Sequence, residues 1–578
     1  MAIVFNSART FKDEMIDGLA SAYGRYLRRI PGTAAVASVD APAPGRVSTI
    51  IGGGSGHYPA FAGLVGPGLA DAAVCGDVFA SPSAEQVYRS ICAMDGGAGV
   101  LMMFGNYAGD VMHFGLAAEQ AKARHGIEAR IVLVTDDIAS APPERAGERR
   151  GIAGGFYVFR AAAAAAHRGC NLSEVERAAR AVNNVTRTIG VAFDGCTLPG
   201  RDEPLFRVAA ESMEVGMGIH GEPGIQTVPR VTAGQLGAML AGRLLAERPP
   251  GADQARLLVN GLGRVKYEEL LILHLSVASE LRDAGVRLIE PEVGEFVTSL
   301  DMAGCSVTVV WTDEEMEQLL SAPAASPGFT YPGPVSGLNG SARPLSRSAL
   351  ESGHRTSEVS DADVTPSGHT VRRMLTAMAA RMHELEDHLG DLDAVAADGD
   401  HGITMTRGID AAVTAAHTSG PDASAILVAA GMAFADAAGG ASGALWGSAL
   451  TAIGNHIEDP GSTCPGAKEW WAALQAGEQA VTRLGGCALG EKTLIDALHP
   501  FAVAFGAAAE RGASVPQAWE EASEVAMRAA QETAALAARR GRAARLSERS
   551  IGTPDPGAIS LAEALAAARP ALNVVASS

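Results

Sequence analysis

The sequence predicts a multidomain protein: two α/β units followed by an all-helical unit. Three observations indicate this fold class. The first third alternates β-branched runs with helical stretches, and residues 47–51, 99–104 and 130–135 are typical of buried strands in a parallel sheet wound with helices. A Pro-, Gly- and Ser-rich stretch with little periodicity spans residues 321–366. Beyond it, Ala-rich helical segments continue and no segment is typical of a strand.

The totals exclude several classes of protein. At 578 residues the chain is too long for one core, and two to four domains are expected. The net charge of −19 argues against a nucleic-acid or anionic-membrane partner. The seven scattered cysteines form no CxxC pair, which is typical of the reducing cytosol, so we expect a cytoplasmic protein. Acidic and basic residues occur too early in the N-terminal stretch for a signal peptide. The most apolar region, 429–453, is glycine-rich and contains Asp436, so we predict a buried helix pair rather than a membrane span.

The second α/β unit and the helical unit have recognisable elements. The second unit is predicted to contain a helix at 267–284, a strand at 305–311 and a helix at 313–320. One apolar stripe of a helix follows the linker, at Val371, Met374, Leu375, Met378, Met382, Leu385 and Leu389. The predicted domains are 1–335, with subdomains of about 1–200 and 201–335, a linker at 336–365, and a helical domain at 366–578.

A glycine-rich turn follows the first strand, reading GGGSGHYP over residues 52–59. Successive glycines let the backbone approach a ligand and present its N–H groups. A dinucleotide fingerprint is excluded because His57 stands where its third glycine should be and Pro59 follows. A structural turn is the alternative, and the histidine at its end favours a site.

Two further glycine-rich turns contain candidate catalytic groups. Asp110 ends the run GNYAGD after the second strand, and His220 lies in MGIHGEPG. An imidazole can act as a general base or as a nucleophile toward a carbonyl, and a carboxylate can take a hydroxyl proton. A single histidine is more often structural, but two histidines and an aspartate at such turns indicate a site.

The run LDAVAADGDHGITMTR at 392–407 places Asp393, Asp398 and Asp400 within eight residues. Oxygen ligands with glycine turns between them suit a hard cation, and Mg²⁺ leaves its other positions to water and phosphate oxygens. A solvated acidic turn is the alternative. The apolar flanks indicate that the loop lies against a core, so we interpret it as a metal-nucleotide site.

Three more runs in the helical domain are candidate nucleotide contacts. GGASGALWG at 439–447 could open a helix N-terminus toward phosphate. GEKT at 490–493 is not the end of a Walker loop, because Glu491 separates glycine from lysine and no strand precedes it. ERSIGTPDPG at 548–557 is a rigid turn, although such turns are commonly only helix connections.

Taken in order, the motifs GGGSGH, NYAGD, MGIHGEPG, LDAVAADGDHG, GGASG, GEKT and ERSIGTPDPG resemble those of the dihydroxyacetone kinase family in its single-chain, ATP-dependent form. The resemblance spans nearly the whole chain. It implies an N-terminal ketose-binding half of two α/β subdomains and a C-terminal barrel of antiparallel helices that holds Mg-ATP. It also implies phosphorylation of a terminal hydroxyl of a short-chain ketose, and a homodimer is expected.

The resemblance also implies residue roles. His220 matches the histidine that captures the ketone carbon as a hemiaminal, His57 assists at the carbonyl oxygen, and Asp110 accepts the proton of the attacking hydroxyl. The expected substrate contacts are Gly54, Ser55, Gly56, His57, Tyr58, Gly105 and Asp110. The expected metal ligands are Asp393, Asp398 and Asp400. The expected nucleotide contacts are His401, Gly402, Ile403, Thr404, Ala441, Ser442, Gly486, Thr493, Arg542, Asp555, Pro556 and Gly557.

Three positions depart from the family pattern. Tyr58 stands where the family usually has glutamate, Gly105 where it has lysine, and Glu491 where it has aspartate. The first two predict a reshaped pocket and a four-carbon ketose such as erythrulose rather than dihydroxyacetone. Two other functions stay open. One is cleavage of FAD to a cyclic flavin phosphate at the same metal site. The other is ketose sensing by a regulator, and the three intact aspartates of the acidic loop argue against it.

Overall fold

The computed structural model describes residues 4–333, 363–457, 464–540 and 542–573, without the side chains of 542, 545 and 546. The chain forms two compact units, residues 1–342 and 343–578, and each is described by itself. The predicted linker 336–365 lies outside the described residues except for its last three positions. All seven cysteines are free thiols. Among the described helices, none has the length and apolarity that crossing a bilayer would require.

The first sheet has the order β1-β2-β4-β3-β5-β6. Its strands are β1 (Leu27–Arg29), β2 (Ala35–Ser38), β3 (Ser48–Ser55), β4 (Ala72–Val78), β5 (Val100–Gly105) and β6 (Ala129–Val134). Strands β4, β3, β5 and β6 are parallel, whereas β1 and β2 pair antiparallel at one edge. The three strands predicted from the sequence are β3, β5 and β6, and all eight residues of β3 are buried. Because β3 and β5 are parallel neighbours, the turns that follow them meet at one sheet edge.

Helices cover both faces of this sheet. They are α1 (Phe11–Ala22), α2 (Ala84–Met94), α3 (Ala108–His125), α4 (Gly155–His167) and α5 (Leu172–Asn184). Helix α3 begins directly after β5, so Asp110 lies in its first turn. Helix α4 is buried along almost its whole length because it packs on the sheet and is covered by α5 and a helix of the second subdomain.

The second sheet has the order β11-β10-β13-β7-β8-β9, with β12 paired to β10. Its strands are β7 (Thr186–Asp194), β8 (Ser212–Val215), β9 (Gln226–Pro229), β10 (Gln254–Gly261), β11 (Arg287–Leu288), β12 (Glu292–Gly294) and β13 (Ala303–Trp311). Strand β7 belongs to this second sheet although it precedes the predicted subdomain boundary near 200. The reason is that β7 pairs antiparallel with the distant β13 from Thr186 to Asp194. Three helices, α6 (Ala233–Leu245), α7 (Tyr267–Asp283) and α8 (Glu314–Leu320), and the hairpin of β14 (Ala324–Ala325) and β15 (Thr330–Tyr331) complete the unit.

The second unit is all-helical in its described residues, which confirms the predicted fold class. Its helices are α9 (Pro366–Ala394), α10 (His401–Thr418), α11 (Ala423–Ala438), α12 (Gly440–His456), α13 (Ala467–Gly485), α14 (Ile495–Glu510), α15 (Val515–Glu532) and α16 (Pro556–Leu572). Each packs against the next, and α16 packs against α9, so the helices close a ring. The predicted stripe of α9 faces the interior, with Leu385 only partly buried.

Candidate active site

The glycine turn after β3 brings the backbone very close to its neighbours. A Cβ atom at Gly53 would lie 2.5 Å from the Phe61 ring, and one at Gly54 would lie 2.8 Å from the backbone of Ala80. Any larger residue would therefore push the turn away from the sheet edge. The glycines let this turn place His57 in a small cavity at the carboxyl ends of β3 and β5.

This cavity brings together residues that are far apart in the sequence. It has a volume of about 30 Å³. Among the predicted site residues, His57, Asp110, His220, Gly54 and Gly105 line it. The side chains around them that sequence reasoning missed include Tyr107, Phe61, Phe159 and Ile219. The cavity is therefore a mostly apolar enclosure with two imidazoles and one carboxylate.

His57 is a buried, neutral imidazole. Its Nδ1 lies 2.7 Å from the carbonyl oxygen of Thr298, and its ring stacks on Phe79 with centroids 5.0 Å apart. Burial, with a smaller contribution from the charge of His220, lowers the pKa of His57 to about 3. Because a carbonyl oxygen only accepts, Nδ1 has the hydrogen and Nε2 presents a lone pair to the cavity.

His220 faces that lone pair. The Nε2 atoms of the two rings are 3.1 Å apart, and Nδ1 of His220 is 3.0 Å from Oε1 of Glu222. A carboxylate only accepts, so Nδ1 of His220 also has a hydrogen. Two lone pairs at 3.1 Å would repel, and the contact is a hydrogen bond only if one Nε2 is protonated. We assign this proton to His220, which lies beside Glu222.

Asp110 supplies the carboxylate. It is buried, and its Oδ1 atom has no hydrogen-bond partner among the described residues. Burial raises the pKa of Asp110 to about 6, against the opposing effects of a hydrogen bond from Ser81 and the charges of His220 and His113. An unsatisfied carboxylate oxygen at the cavity wall can accept a proton from a bound hydroxyl.

Three predicted substrate contacts lie elsewhere. Ser55, Gly56 and Tyr58 line a separate cavity of about 290 Å³ behind the histidine turn. The side chain of Ser55 donates to the carbonyl of Gly76 at 2.7 Å. Strand β3 ends at Ser55, and in the turn that follows it His57 lines the first cavity while Tyr58 lines the second.

The expected gap at Gly105 is filled. A Cβ atom at Gly105 would lie 2.7 Å from Cε2 of Tyr107. The Tyr107 ring packs edgewise on His220 with centroids 4.6 Å apart, and its hydroxyl donates to the carbonyl of Gly151. Glycine at 105 thus lets Tyr107 lie directly against the strand end.

In the helical unit, the acidic loop lies between α9 and α10. Ligand oxygens of Asp393, Asp398 and Asp400 all lie within 4.8 Å of one another. The backbone N–H of Gly399 donates to Oδ2 of Asp393 at 2.9 Å, and Gly399 has a φ of +76°, which glycine readily adopts. Three carboxylates at this spacing fit a hard divalent cation.

A cavity of about 580 Å³ adjoins this loop. The predicted contacts that line it, besides the three aspartates, are His401, Ala441, Ser442, Thr493, Asp555, Pro556 and Gly557. Asp555 caps α16 by accepting from the N–H of Ala558 at 2.8 Å, so the N-terminus of α16 faces the cavity.

The wall of this cavity does not include three of the other predicted nucleotide contacts, Gly402, Ile403 and Thr404. Gly402 packs on the backbone of Glu386, and Ile403 is 58% exposed on the outside of α10. Thr404 is also absent from the wall, whereas Gly486 lies between two lining residues, Gly485 and Cys487. The side chain of Arg542 lies outside the described residues.

Two basic side chains that line this cavity, Lys492 and Arg540, are not among the predicted nucleotide contacts. Lys492 is buried, and its Nζ donates to the carbonyls of Leu536, Ser550 and Thr553 at 3.1, 2.5 and 2.6 Å. These hydrogen bonds hold the segment 536–553, which leads into α16, against Lys492. Arg540 lines the cavity and pairs with Glu491 at 2.8 Å. The GEKT run could have indicated Lys492, but nothing in the sequence marks Arg540.

Comparisons with known proteins agree with this architecture. A Dak1 domain matches residues 17–328 and a DAK2 domain matches residues 395–569. D-erythrulose kinase of Mycolicibacterium smegmatis is 47% identical over 568 residues, 97% of both chains. L-erythrulose kinase of Pectobacterium atrosepticum is 43% identical, over 99% of this chain and 97% of the relative. Triokinase/FMN cyclase of Bos taurus is 33% identical over 90% of both chains.

Solved structures also resemble the chain over nearly its full length, and one of them contains a bound nucleotide analogue. It is the dihydroxyacetone kinase from C. freundii in complex with AMP-PNP and Mg²⁺, with a TM-score of 0.59 and 31% identity, and it covers 98% of this chain and 99% of that one.

The α/β unit has an imidazole pair and a carboxylate in one cavity, and the ring of helices has an acidic loop between its first two helices. Together with the comparisons, this architecture is that of a two-domain small-molecule kinase. The chain belongs to the dihydroxyacetone kinase family in its single-chain form, and it is a phosphotransferase with an alcohol group as acceptor.

Proposed function

We propose that the chain phosphorylates a terminal hydroxyl of a short ketose at the expense of ATP, with Mg²⁺. Residues 1–335 bind the ketose and 366–578 bind the nucleotide. The observation that carries the proposal is the convergence of His57, His220 and the unsatisfied Asp110 carboxylate on one cavity. Kinase names among the relatives and the AMP-PNP and Mg²⁺ complex of the similar structure support it.

Capture of the ketone follows from the hydrogen bonding of the two histidines. The Nε2 proton of His220 passes to Nε2 of His57 across their 3.1 Å contact. The freed lone pair of His220 forms a bond to the ketone carbon while the C=O π electrons move to oxygen. That oxygen takes the proton from His57, which returns to the neutral state. The product is a hemiaminal hydroxyl on a His220 ring that keeps one positive charge. Glycerol offers no carbonyl to this step, so capture selects ketoses.

Transfer to the terminal hydroxyl then depends on Asp110. Its unsatisfied Oδ1 accepts the hydroxyl proton as the oxygen attacks the phosphoryl group. Asp393, Asp398 and Asp400 would hold the divalent cation, which, when bound, neutralises charge on the transferring phosphoryl group. Phosphoryl transfer requires the bound ketose to reach the bound nucleotide, within one chain or across a dimer.

We propose a four-carbon ketose as the preferred substrate. The support is the erythrulose kinase names of two relatives, because Tyr107 occupies the space beside Gly105. Those relatives are named for opposite enantiomers, so the chirality of the ketose is open to the experiment. Tyr58 does not contribute to this argument, since it lies behind the turn. We extend the proposal to a cytoplasmic homodimer, which light scattering and fractionation test.

The test is a coupled ADP-release assay with dihydroxyacetone, both erythrulose enantiomers and glycerol. We expect turnover with ketoses, the highest kcat/KM with one erythrulose, and none with glycerol. Ketose binding without ADP release would overturn the kinase and favour a regulator. Release of cyclic flavin phosphate from FAD and Mn²⁺, without ketose phosphorylation, would favour the cyclase.

A further inference from the structure

Glu222 holds His220 at two points. Its Oε2 accepts from the backbone N–H of His220 and its Oε1 from the ring Nδ1–H, both at 3.0 Å. One carboxylate thus fixes the imidazole against its own backbone. A Cβ atom at Gly218 would lie 2.0 Å from Oε2 of Glu222, so glycine at 218 makes room for this arrangement.

A second charge pair stands behind Glu222. Arg150 lies with Nη1 3.9 Å from Oε2 of Glu222 and with Nη2 2.8 Å from the buried Asp137. From the cavity outward the order of groups is imidazole, carboxylate, guanidinium, carboxylate. Arg150 donates hydrogen bonds to Asp137 and to the carbonyl of Gly216, whereas its 3.9 Å contact with Glu222 is too long for a hydrogen bond. Asp137 therefore offsets the charge of Arg150, and Glu222 keeps its charge for His220.

The proposed capture step leaves His220 with a bond at Nε2 and a hydrogen on Nδ1, and therefore with a positive charge. The ring is enclosed by Phe79 and Tyr107, with centroids 5.4 and 4.6 Å away. A cation in such an apolar enclosure is costly unless a counter-charge is hydrogen-bonded to it. Glu222 is the acidic side chain in contact with Nδ1.

We propose that Glu222 is a positioning residue that aims Nε2 of His220 at the ketone and stabilises the cationic ketose adduct. This inference rests on the proposed covalent capture. In the adduct, the His220 ring has a carbon on Nε2 and a hydrogen on Nδ1, and so it has one positive charge. The carboxylate of Glu222 offsets this charge and accepts the Nδ1 hydrogen bond before and after capture.

The substitution Glu222→Gln separates this role from packing. Glutamine has nearly the same shape but is neutral, and it can accept only one of the two N–H groups because its other terminal atom donates. Glu203→Gln is the matched control, since Glu203 is exposed and pairs with Arg207. Glu222→Asp keeps the charge and shortens the reach.

The measurement uses the full-length protein and dihydroxyacetone labelled with carbon-13 at the carbonyl. In the wild type we expect the bound carbon to give a tetrahedral rather than a ketone signal. Glu222→Gln should lower the tetrahedral fraction by about tenfold or more, Glu222→Asp by less, and Glu203→Gln not at all. An unchanged circular dichroism spectrum and an unchanged melting profile show that each variant is folded.

A tetrahedral fraction in Glu222→Gln equal to that of the wild type would overturn the role of Glu222 and leave capture standing. Absence of a tetrahedral signal in the wild type would overturn capture itself. If Glu222→Gln does not fold, nitrogen-15 labelling of histidine in the wild type decides. The adduct must show a protonated Nδ1 on His220 at neutral pH, and an unprotonated Nδ1 contradicts the proposal.

Discussion

His57 and His220 are 163 positions apart in the sequence, yet their Nε2 atoms lie 3.1 Å apart. Each ring has its other nitrogen fixed by an acceptor, the Thr298 carbonyl for His57 and the Glu222 carboxylate for His220. The geometry therefore leaves one proton between two nitrogens. A shared proton of this kind suits nucleophilic attack on a carbonyl. When the proton moves to one histidine, the other has a free lone pair for the attack, and the proton can then pass to the carbonyl oxygen.

The first prediction concerns His220. His220→Ala removes the nucleophile, so ketose should no longer be retained and the tetrahedral carbon signal should disappear. Mg-ATP affinity should stay within about twofold, because the nucleotide cavity is formed by the other unit. Equilibrium dialysis with labelled ketose and calorimetry with Mg-ATP measure the two effects. Ketose retention at the wild-type level would show that His220 does not bind covalently.

The second prediction concerns the acidic loop. Asp400→Asn keeps the shape of the side chain and removes a charge, so turnover should fall by several orders of magnitude. Thermal stability without metal should not fall, since the substitution relieves repulsion among three carboxylates within 4.8 Å. Asp410→Asn, on the exposed face of α10 where Asp410 pairs with His383, is the control. Near-normal turnover by folded Asp400→Asn would remove the metal assignment.

The third prediction is a pH dependence set by Asp110. Its pKa is about 6 and the base must be ionised, so kcat/KM for ketose should fall about tenfold per pH unit below pH 6 and level off above. Burial raises this pKa above the usual value for an aspartate, so ionisation of Asp110 destabilises the fold. The cost is complete above pH 6 and is lost as the pH falls from 6 to about 4. His220, His113 and Ser81 are the groups that face it.

Asp110→Asn checks the assignment in the same assay. It should abolish most turnover at every pH and be more stable than the wild type at pH 7 but not at pH 4. A variant that keeps the acid limb of the wild-type profile would assign that limb to another group.

The fourth prediction concerns substrate preference. Gly105→Lys must displace the Tyr107 ring, which lies 2.7 Å from the position of a Cβ atom. We expect kcat/KM for erythrulose to fall more than that for dihydroxyacetone, by about tenfold in the ratio. Tyr58→Glu, which restores the family residue in the separate cavity, should leave the ratio unchanged. A triose preference in the wild type that Gly105→Lys does not alter would contradict the four-carbon proposal.

The fifth prediction concerns the loop before α16. Lys492→Met leaves three carbonyls without their donor, so the free energy of unfolding should fall by about 3 kcal/mol or more. Nucleotide affinity should fall with it, because the same loop lines the nucleotide cavity. The exposed Lys468→Met serves as the control for loss of a positive charge. A melting temperature equal to that of the control would show that the lysine does not fasten the loop.

The sequence by itself determined the features that depend on neighbours in the chain. Strands β3, β5 and β6, the helix α9 with its apolar stripe, and the acidic loop were all predicted, because periodicity and glycine spacing are local properties. Asp393, Asp398 and Asp400 lie within eight residues, so a short turn is enough to bring their oxygens together.

Only the tertiary structure decided what meets across long separations and which way a side chain points. The pairing of β7 with β13 and the contact of His57 with His220 depend on backbone hydrogen bonds between distant segments, which no local pattern encodes. The turn after β3 places Tyr58 in a different cavity from its neighbour His57. Tyr107 filled the space at Gly105, because close packing leaves few voids as large as a side chain.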